Sequence, residues 1–285
     1  MIHPVLNSTS FSIVIPAYNE ALRIREVISA AISYTPHVIV IDDGSTDHTL
    51  NCLVDLPVHL IRHSHRLGKG AALRSGFARA LDLGVDAVIT LDGDGQHDVA
   101  DCPRLMAAFS NHPHSIIIGA RLIDQANRPL IRRWANALGD WGVSWACGRS
   151  LIDSQSGLRL YPATLLPIAI RQVVSQGFVY ESDLLIQAVR HQQCDVISIP
   201  ISARYANNQH LHTYRKSHFR HIRDLALIIL HVSGHIIRQG QLIREYRRVR
   251  QNPVQVEQMK TPIARQPGSR INSNASPPSS PDHHN

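Results

Sequence analysis

The sequence has few cysteines, and they form no recognisable pair. Only four are present, and they are widely separated: Cys52, Cys102, Cys147 and Cys194. This spacing indicates neither a disulfide framework nor a zinc cluster. We therefore expect buried, inert thiols in a reducing, cytosolic compartment.

Long apolar segments are also lacking. The N-terminal sequence MIHPVLNSTS has no basic stretch followed by an apolar core, so no secretory signal is predicted. The densest apolar stretch in the last third of the chain, residues 225–237, has 13 residues and contains two histidines. A transmembrane helix needs about 20 apolar residues, so this stretch is too short to span a bilayer. With 285 residues and 44% apolar content, the chain is long enough for one large domain with appendages.

Acidic residues are outnumbered by basic ones, and the formal net charge is +7. Such a charge favours an anionic partner: nucleic acid, anionic lipid or a phosphorylated substrate. The eighteen histidines show no metal-binding spacing, and no nucleic-acid-binding motif is recognised. A non-catalytic basic binding module is therefore a remote alternative. The late arginine cluster comprises Arg238, Arg244, Arg247, Arg248 and Arg250.

Strand and helix patterns alternate through the first hundred residues. Apolar strand-like runs begin the segments 11–16, 37–49 and 86–95, and helical patterns cover 19–34 and 68–84. This alternation predicts an α/β fold, with a mostly parallel sheet and helices on both faces. The three strands end in PAYNE, DDGS and DGDG. Ligands gather at the carboxyl ends of such strands, so we predict the functional site there.

The middle of the chain continues the pattern. Residues 115–121 form a predicted strand, and residues 195–205 form another that lies at or near a sheet edge, because Pro200 interrupts it. Residues 132–148 are predicted to be helical. Packing of their aromatic side chains in the core is favoured over a sugar-stacking platform. The residues on that side are Trp134, Leu138, Trp141 and Trp145.

The two ends of the chain are predicted to lie outside the main domain, which we assign to residues 11–219. Residues 1–10 are expected to be flexible, and residues 220–250 to form an amphipathic basic helix. That helix either packs on the core or lies on a membrane surface with its arginines facing lipid phosphates. Residues 251–285 are rich in Pro, Ser, Asn and Gln and are expected to be disordered.

Two aspartates, Asp92 and Asp94, follow the third strand with only Gly93 between them. Carboxylates at this spacing on a tight turn both reach one hard divalent cation, which completes its shell with water and phosphate oxygens. Gly93 and Gly95 permit unusual backbone angles and the close approach of a bulky ligand. The pattern therefore indicates a metal ion that carries a diphosphate. An acidic hairpin turn is the alternative.

Four motifs, IPAYNE, IDDGSTD, GKGAALRSGF and LDGDGQH, occur in an order and at spacings that resemble the family-2 glycosyltransferases, which have a GT-A fold. The downstream motifs DSQSGLRLY, QGFVYESDLL and ISIPISARY resemble the polyprenyl-phosphate sugar transferase branch, which includes dolichyl-phosphate mannose synthases. The resemblance covers roughly residues 11–220, and the motifs are specific as a set.

The resemblance implies a site for a nucleotide-diphosphate sugar, UDP- or GDP-linked, with Mg²⁺ or Mn²⁺ as the cofactor. Asp92 and Asp94 would hold the metal, with Gln96 beside it. Arg121 and Arg204 would contact phosphates, a task that suits the paired donors of a guanidinium. The residues implied to surround the base and ribose are Pro16, Ala17, Tyr18, Glu20, Ile41 and Asp43.

A loop near the acceptor and the donor phosphate is also implied, formed by Ser156, Gly157 and Arg159. Lys69 follows the donor-site pattern less firmly, and a solvated structural lysine is the alternative there. The chemistry expected is inverting transfer, in which cationic groups neutralise the departing nucleotide. A lipid phosphate acceptor needs no base, whereas a hydroxyl acceptor would need one. Asp153 is the candidate base, and a turn-forming role is its alternative.

One stretch departs from the branch. Many members with lipid acceptors carry a Ser-Lys pair after the last strand, whereas this chain has NNQHLHTYRKSHFRH at residues 207–221. Arg215 or Lys216 is a candidate for the missing cation. The favoured acceptor is a lipid-linked phosphate at the inner face of the cell membrane, with the enzyme peripherally attached. A soluble or carrier-bound acceptor is the alternative.

Overall fold

The computed structural model describes residues 9–123, 130–177, 179–202, 229–234, 237 and 242–257. One eight-stranded sheet forms its centre, in the order β3-β2-β1-β4-β6-β5-β7-β8. The strands are β1 (Phe11–Ala17), β2 (Val38–Asp42), β3 (His59–Arg62), β4 (Ala87–Thr90), β5 (Ser115–Arg121), β6 (Arg159–Pro162), β7 (Asp195–Ile201) and β8 (Gln255–Val256). The helices are α1 (Ile24–Ile32), α2 (Lys69–Asp82), α3 (Cys102–Asn111), α4 (Leu130–Cys147), α5 (Leu166–Arg171), α6 (Val179–His191) and α7 (Leu242–Gln251).

The sheet is parallel except at β6, which runs antiparallel between β4 and β5. The predicted α/β class with a mixed, mostly parallel sheet is therefore confirmed. The strands β3 and β6 were not predicted, because their sequences HLIR and RLYP lack the continuous apolar run that identified the equally short β4.

The central strands read as continuous apolar runs because helices cover both faces of the sheet. One face packs against α2, α4, α5 and α6, and the other against α1 and α3. Gly76 lets α2 approach the sheet closely, since a Cβ atom there would lie 2.8 Å from Ile41 Cδ1. This close packing fixes the N-terminus of α2 near the carboxyl ends of β1 and β2.

The predicted disorder from residue 251 is wrong for its first residues. β8 pairs in parallel with β7, and Glu257 N donates to Ser198 O at 3.0 Å. Asn252 is also held, because its carbonyl accepts from Ser150 N at 3.0 Å. These backbone hydrogen bonds order a segment whose composition offers little apolar surface. They also place β7 one strand inside the sheet edge, near the predicted position. Residues 1–8 and 258–285 lie outside the described residues.

The predicted helix over residues 220–250 is described only in part, as helical residues 229–234 and 237 and as α7. Val232 is buried beside Gly142 of α4, so this part of the segment packs on the core. Leu230 and Ile237 are 69% and 71% exposed. Among the described residues, no helix is both long and apolar enough to cross a membrane.

The aromatic side of α4 packs on the core only at Trp145, and the prediction is wrong for Trp141. The side chain of Trp134 lies outside the described residues. Trp141 is 53% exposed, and its ring centroid lies 4.9 Å from that of the half-buried Trp145. Trp145 in turn contacts Tyr246 of α7, with ring centroids 6.1 Å apart. Leu138 is exposed as well. The aromatic residues therefore join α4 to α7 at the surface, because the opposite side of α4, with Val143 and Ala146, is the side buried against the sheet.

Candidate active site

The loops after β1 and β2 are tied to each other at the carboxyl edge of the sheet. Asn19 has a φ of +57°, and its Oδ1 accepts from Thr46 N at 2.8 Å and from Asp47 N at 3.2 Å. Glu20 N donates to Thr49 Oγ1 at 2.7 Å. Asparagine tolerates this left-handed conformation better than most residues. The bonds therefore fix the segment that follows β1.

Within that segment, the residues predicted to surround the base differ in exposure. Pro16, Tyr18 and Glu20 are partly exposed, whereas Ala17 is buried. The Arg66 guanidinium lies over the Tyr18 ring, 4.3 Å from its centroid, as in a cation–π contact. The structure thus brings Pro16, Tyr18 and Glu20 to the predicted edge, where their role in nucleotide binding stays a prediction.

Ile41 and Asp43 were predicted to close the same pocket. For Ile41 the prediction is wrong, because its side chain extends from β2 against α2 and is fully buried there. Asp43 is also buried, and it accepts hydrogen bonds from Leu67 N and Gly68 N, both at 2.8 Å. Its Oδ1 also lies 2.8 Å from His63 Nδ1. Asp43 therefore anchors the loop that leads into α2.

Lys69, at the start of α2, bridges two carboxylates. Its Nζ lies 2.7 Å from Asp92 Oδ1 and 2.7 Å from Glu181 Oε2 of α6. The side chains of Lys69 and Glu181 are only 13% and 8% exposed, so the alternative of a solvated lysine is wrong. Burial opposes the charges on Lys69 and Asp92. The ion pair outweighs it, raising the pKa of Lys69 and lowering that of Asp92.

Asp94 behaves differently from Asp92. Burial, and then the nearby Asp92 carboxylate, raise its pKa to about 6. Its Oδ1 accepts from Gln96 N at 3.0 Å, and Gly95 has a φ of +73°, so residues 94–96 form a tight turn. Asp92, Asp94 and Gln96 thus lie on one loop, and their role as metal ligands stays a prediction.

The charges and donors of this loop fit a divalent cation. The carboxylates of Asp92, Asp94 and Glu181 against the Lys69 ammonium leave two negative charges, and the Arg121–Asp153 pair adds no net charge. Among the residues that the structure describes, no cluster of three His, Cys, Asp or Glu side chains has metal-binding geometry. Two carboxylates suit an ion such as Mg²⁺, which retains several waters and binds through substrate phosphates.

The loop before β6 covers Asp92. The Gly157 backbone lies so close that a Cβ atom at this position would overlap Asp92 Oδ2. Thr90 Oγ1, in β4, donates to Gly157 O at 3.0 Å and holds the loop there. Position 157 therefore requires glycine, because only glycine lets the loop before β6 approach Asp92 so closely.

Arg121, at the end of β5, is held by Asp153. Its Nε donates to Oδ2 at 2.8 Å, its Nη2 to Oδ1 at 2.6 Å, and its backbone N to Oδ2 at 2.7 Å. The guanidinium favours ionisation of both Asp92 and Asp94, so it lies within electrostatic reach of the paired aspartates. Asp153 was predicted as a base. With both carboxylate oxygens bonded to Arg121 and 5% of its side chain exposed, it instead fixes that arginine.

Ser156 and Arg159 were predicted as donor-site contacts, and the structure contradicts this for their side chains. Both are buried, and Ser156 Oγ donates to Gly119 O at 2.6 Å. The Arg159 guanidinium donates to the carbonyl oxygens of Ser154, Ser156 and Glu181 at 2.5, 2.8 and 3.0 Å. The side chains of Ser156 and Arg159 therefore stabilise the conformation of the loop before β6 from its buried side. Arg204, Arg215 and Lys216 lie outside the described residues.

Sequence reasoning gave no role to three residues that the structure brings to this site. Glu181 and His97 lie within motifs that carry the family resemblance, yet nothing in their spacing indicated burial. Burial and the nearby Arg121 lower the pKa of His97 to about 4, so its ring is neutral at pH 7. The third, Asp140, accepts hydrogen bonds from the backbone of Asp153 and Ser154. An aspartate within a helical pattern gave no indication of that contact.

The fold is that of the GT-A type found in glycosyltransferases. A solved structure of Mycobacterium tuberculosis glucosyl-3-phosphoglycerate synthase, in complex with Mn²⁺, UDP and glucosyl-3-phosphoglycerate, matches with a TM-score of 0.55. The match covers 81% of this chain and 80% of the synthase chain, and the two sequences are 18% identical over it. The same enzyme was also crystallised with Mg²⁺ and UDP.

The sequence profile described as Glycosyl transferase family 2 matches residues 12–155, half of the chain, and the chain belongs to this family. A UDP-N-acetylglucosamine–dolichyl-phosphate N-acetylglucosaminyltransferase of Methanococcus voltae is 28% identical, over 68% of this chain and 85% of that enzyme. An undecaprenyl-phosphate mannosyltransferase of Micrococcus luteus is 28% identical, over 66% and 81%. The predicted resemblance to the polyprenyl-phosphate branch is confirmed.

Proposed function

We propose that this enzyme moves a sugar from a nucleotide-diphosphate sugar to a polyprenyl-phosphate-type lipid acceptor at the cytoplasmic face of the membrane, with inversion at the anomeric carbon. The observation that carries the proposal is the meeting of Asp92, Asp94, Lys69 and Arg121 at the carboxyl edge of the sheet. Two carboxylates for a cation, next to two fixed cationic side chains, suit a diphosphate leaving group.

Asp92 and Asp94, with Gln96 beside them, are the residues that would hold Mg²⁺ or Mn²⁺. When bound, the divalent cation would neutralise charge on the diphosphate as the sugar departs. The two excess negative charges of the site support this assignment. So do the structures of glucosyl-3-phosphoglycerate synthase with Mn²⁺ or Mg²⁺ and UDP. The nucleotide base, uridine or guanosine, and the sugar are left open.

The protein's own groups supply the remaining stabilisation. Arg121 is oriented by Asp153, lies within electrostatic reach of Asp92 and Asp94, and would bind a donor phosphate. Lys69 stays charged and fixes the orientation of Asp92. A phosphate acceptor is anionic at neutral pH, so the transfer needs no base. The absence of a need for a base agrees with the structure, in which both oxygens of the Asp153 carboxylate are bonded to Arg121.

The lipid acceptor is proposed from the relatives and from the surface. The relatives named above act on dolichyl phosphate and undecaprenyl phosphate. Residues 220–250 would form the membrane contact of a catalytic domain that spans residues 11–219. In this segment the apolar side chains of Leu230 and Ile237 are exposed, and so are Arg247 and Arg250 of α7. Apolar and basic side chains together favour an anionic lipid surface.

The test is sugar transfer from a panel of labelled UDP- and GDP-sugars with Mn²⁺, with and without polyprenyl phosphate. Asp94→Ala is compared with wild type, and Asp82→Ala, which removes an exposed carboxylate at the end of α2, is the matched control. Lipid-dependent product that Asp94→Ala loses and Asp82→Ala retains is the expected result. Donor hydrolysis without lipid product would favour a soluble or carrier-bound acceptor. Absence of turnover with every donor would overturn the proposed activity.

A further inference from the structure

The carboxylate of Asp140 gathers two successive backbone N–H groups from the loop before β6. Asp153 N donates to Oδ2 at 2.9 Å, and Ser154 N donates to Oδ1 at 2.7 Å. Ser154 Oγ adds a third hydrogen bond, to Oδ1, at 2.6 Å. Asp140 belongs to α4, so a helix carboxylate determines where this loop lies.

The bonds hold Asp153 in an uncommon conformation. Its φ is +51°, in the left-handed region that costs a non-glycine residue about 1–2 kcal/mol. Consecutive N–H groups that converge on one anion stabilise such a turn. A hydrogen bond of 2.9 Å from Ser156 N to Asp153 O closes it. Without the Asp140 carboxylate, the extended or right-handed conformation would be favoured at Asp153.

The turn aims the Asp153 carboxylate at Arg121. Both side chains are largely buried, at 5% and 15% exposure, and three hydrogen bonds join the two residues. A change of backbone conformation at Asp153 would therefore move or release the guanidinium. The same loop contacts Asp92 through the backbone of Gly157, so residues 153–157 link Arg121 to the acidic loop.

We propose that Asp140 is a positioning residue for sugar transfer, which holds Asp153 in the conformation that orients Arg121 towards the donor diphosphate. This inference rests on the proposed function. Asp140 acts through Asp153 and does not itself touch the substrate. Its removal therefore weakens catalysis only as far as Arg121 contributes to it.

The variant to test is Asp140→Asn, which retains an acceptor oxygen for Ser154 but turns an amide donor towards Asp153 N. Its matched control is Asp86→Asn, since Asp86 Oδ2 also accepts from a backbone amide, Ser10 N at 2.8 Å, at the opposite edge of the sheet. We expect Asp140→Asn to lower kcat/KM about ten- to a hundredfold, as loss of a supporting partner commonly does. Asp86→Asn should stay within about twofold of wild type.

A double-mutant cycle separates positioning from a general loss of folding. In an Arg121→Lys background, Asp140→Asn should change kcat/KM by less than about twofold, because the group that it orients has been replaced. An undiminished effect of Asp140→Asn in that background would overturn the inference.

A second readout does not depend on activity. The Arg121 Nε–H group, assigned by comparison with Arg121→Lys, should give a slowly exchanging NMR signal in wild type and in Asp86→Asn. In Asp140→Asn that signal should shift and exchange at least about tenfold faster, as a buried ion pair opens. An unchanged signal would overturn the positioning role. If wild type transfers no sugar while the signal responds as expected, the proposed function fails and the structural link between Asp140 and Arg121 stands.

Discussion

The backbone of Gly157 lies directly against the carboxylate of Asp92, so closely that no side chain fits between them. The contact joins the acidic loop after β4 to the loop before β6. These loops meet because β6 lies next to β4 in the sheet, although the two residues are far apart in the sequence.

Replacing this glycine should therefore displace Asp92. We expect Gly157→Ala to lower kcat/KM for sugar transfer at least about a hundredfold, because a displacement of roughly 1 Å at a catalytic site has that effect. The control is Gly139→Ala, in α4, where a Cβ atom meets its nearest neighbour at an ordinary 3.8 Å. Alanine is the better helix former there and should leave activity unchanged. Full activity in Gly157→Ala would contradict the role given to Asp92.

The Lys69 bridge predicts a large change in stability. Lys69→Met leaves the buried Glu181 carboxylate and the partly exposed Asp92 carboxylate uncompensated, so the free energy of unfolding should fall by about 3 kcal/mol. In Lys69→Met/Glu181→Leu one of those charges is removed as well, and the loss should be smaller. Urea denaturation of wild type and of both variants measures this. A double variant less stable than the single one would show that Lys69 is not held by charge.

Because the pKa of Asp94 is raised, we expect the stability of the protein to depend on pH in the absence of a divalent cation. Its pKa is about 6 in the folded protein against an ordinary 3.8, so the folded state binds its proton more tightly. Its contribution to stability is therefore present below about pH 4 and is lost as the pH rises through 6. Asp94→Asn should stabilise the EDTA-treated protein at pH 7.5 by about 1–2 kcal/mol, allowing for solvent screening.

At pH 4 and below, Asp94→Asn should give no such gain, because wild type is then protonated. Thermal unfolding at both pH values measures the difference, with Asp82→Asn as the exposed control. An equal gain at pH 4 and pH 7.5 would mean that Asp94 is not destabilised by its charge.

The thiols should divide into two classes of reactivity. Burial raises the pKa of Cys102 and Cys147 to about 12 and that of Cys194 to about 11, so few thiolates exist at pH 8. Cys52 is partly exposed. A disulfide reagent should therefore label one thiol of the native protein rapidly and three only on unfolding. Cys52→Ser should abolish the rapid phase, and a second rapid thiol would contradict the burial of the others.

Membrane attachment through the C-terminal segment predicts a selective loss of binding. Leu230→Asp/Ile237→Asp should reduce flotation with anionic liposomes about tenfold or more, because each charge opposes insertion into the apolar region. Leu81→Asp, a substitution at an exposed leucine in α2, should float like wild type. Binding should also weaken with salt, since arginines contribute to it. Equal flotation of all three proteins would place the membrane contact elsewhere.

Much of the framework was available from the sequence. The apolar runs that became β1, β2 and β4 are buried on both faces, and this local pattern was enough to predict a parallel sheet. Asp92, Asp94 and Gln96 follow one of these strands directly, so their meeting on one loop was predictable as well. Trp141 of α4 was wrongly expected in the core because periodicity identifies an apolar face but not the element that covers it.

The donor site, too, was only partly predictable from the sequence. The sequence alone determined that acidic residues follow three strands, with glycines after two of them, since short-range patterning dictates which residues follow a strand. Only the tertiary structure decided that Lys69 joins Asp92 to Glu181, that Arg159 is buried beneath its loop, and that Asp140 and Asp153 fix Arg121. Polar groups distant in sequence become partners only when the packing of whole elements removes them from water, because each buried charge then needs a partner or hydrogen bonds.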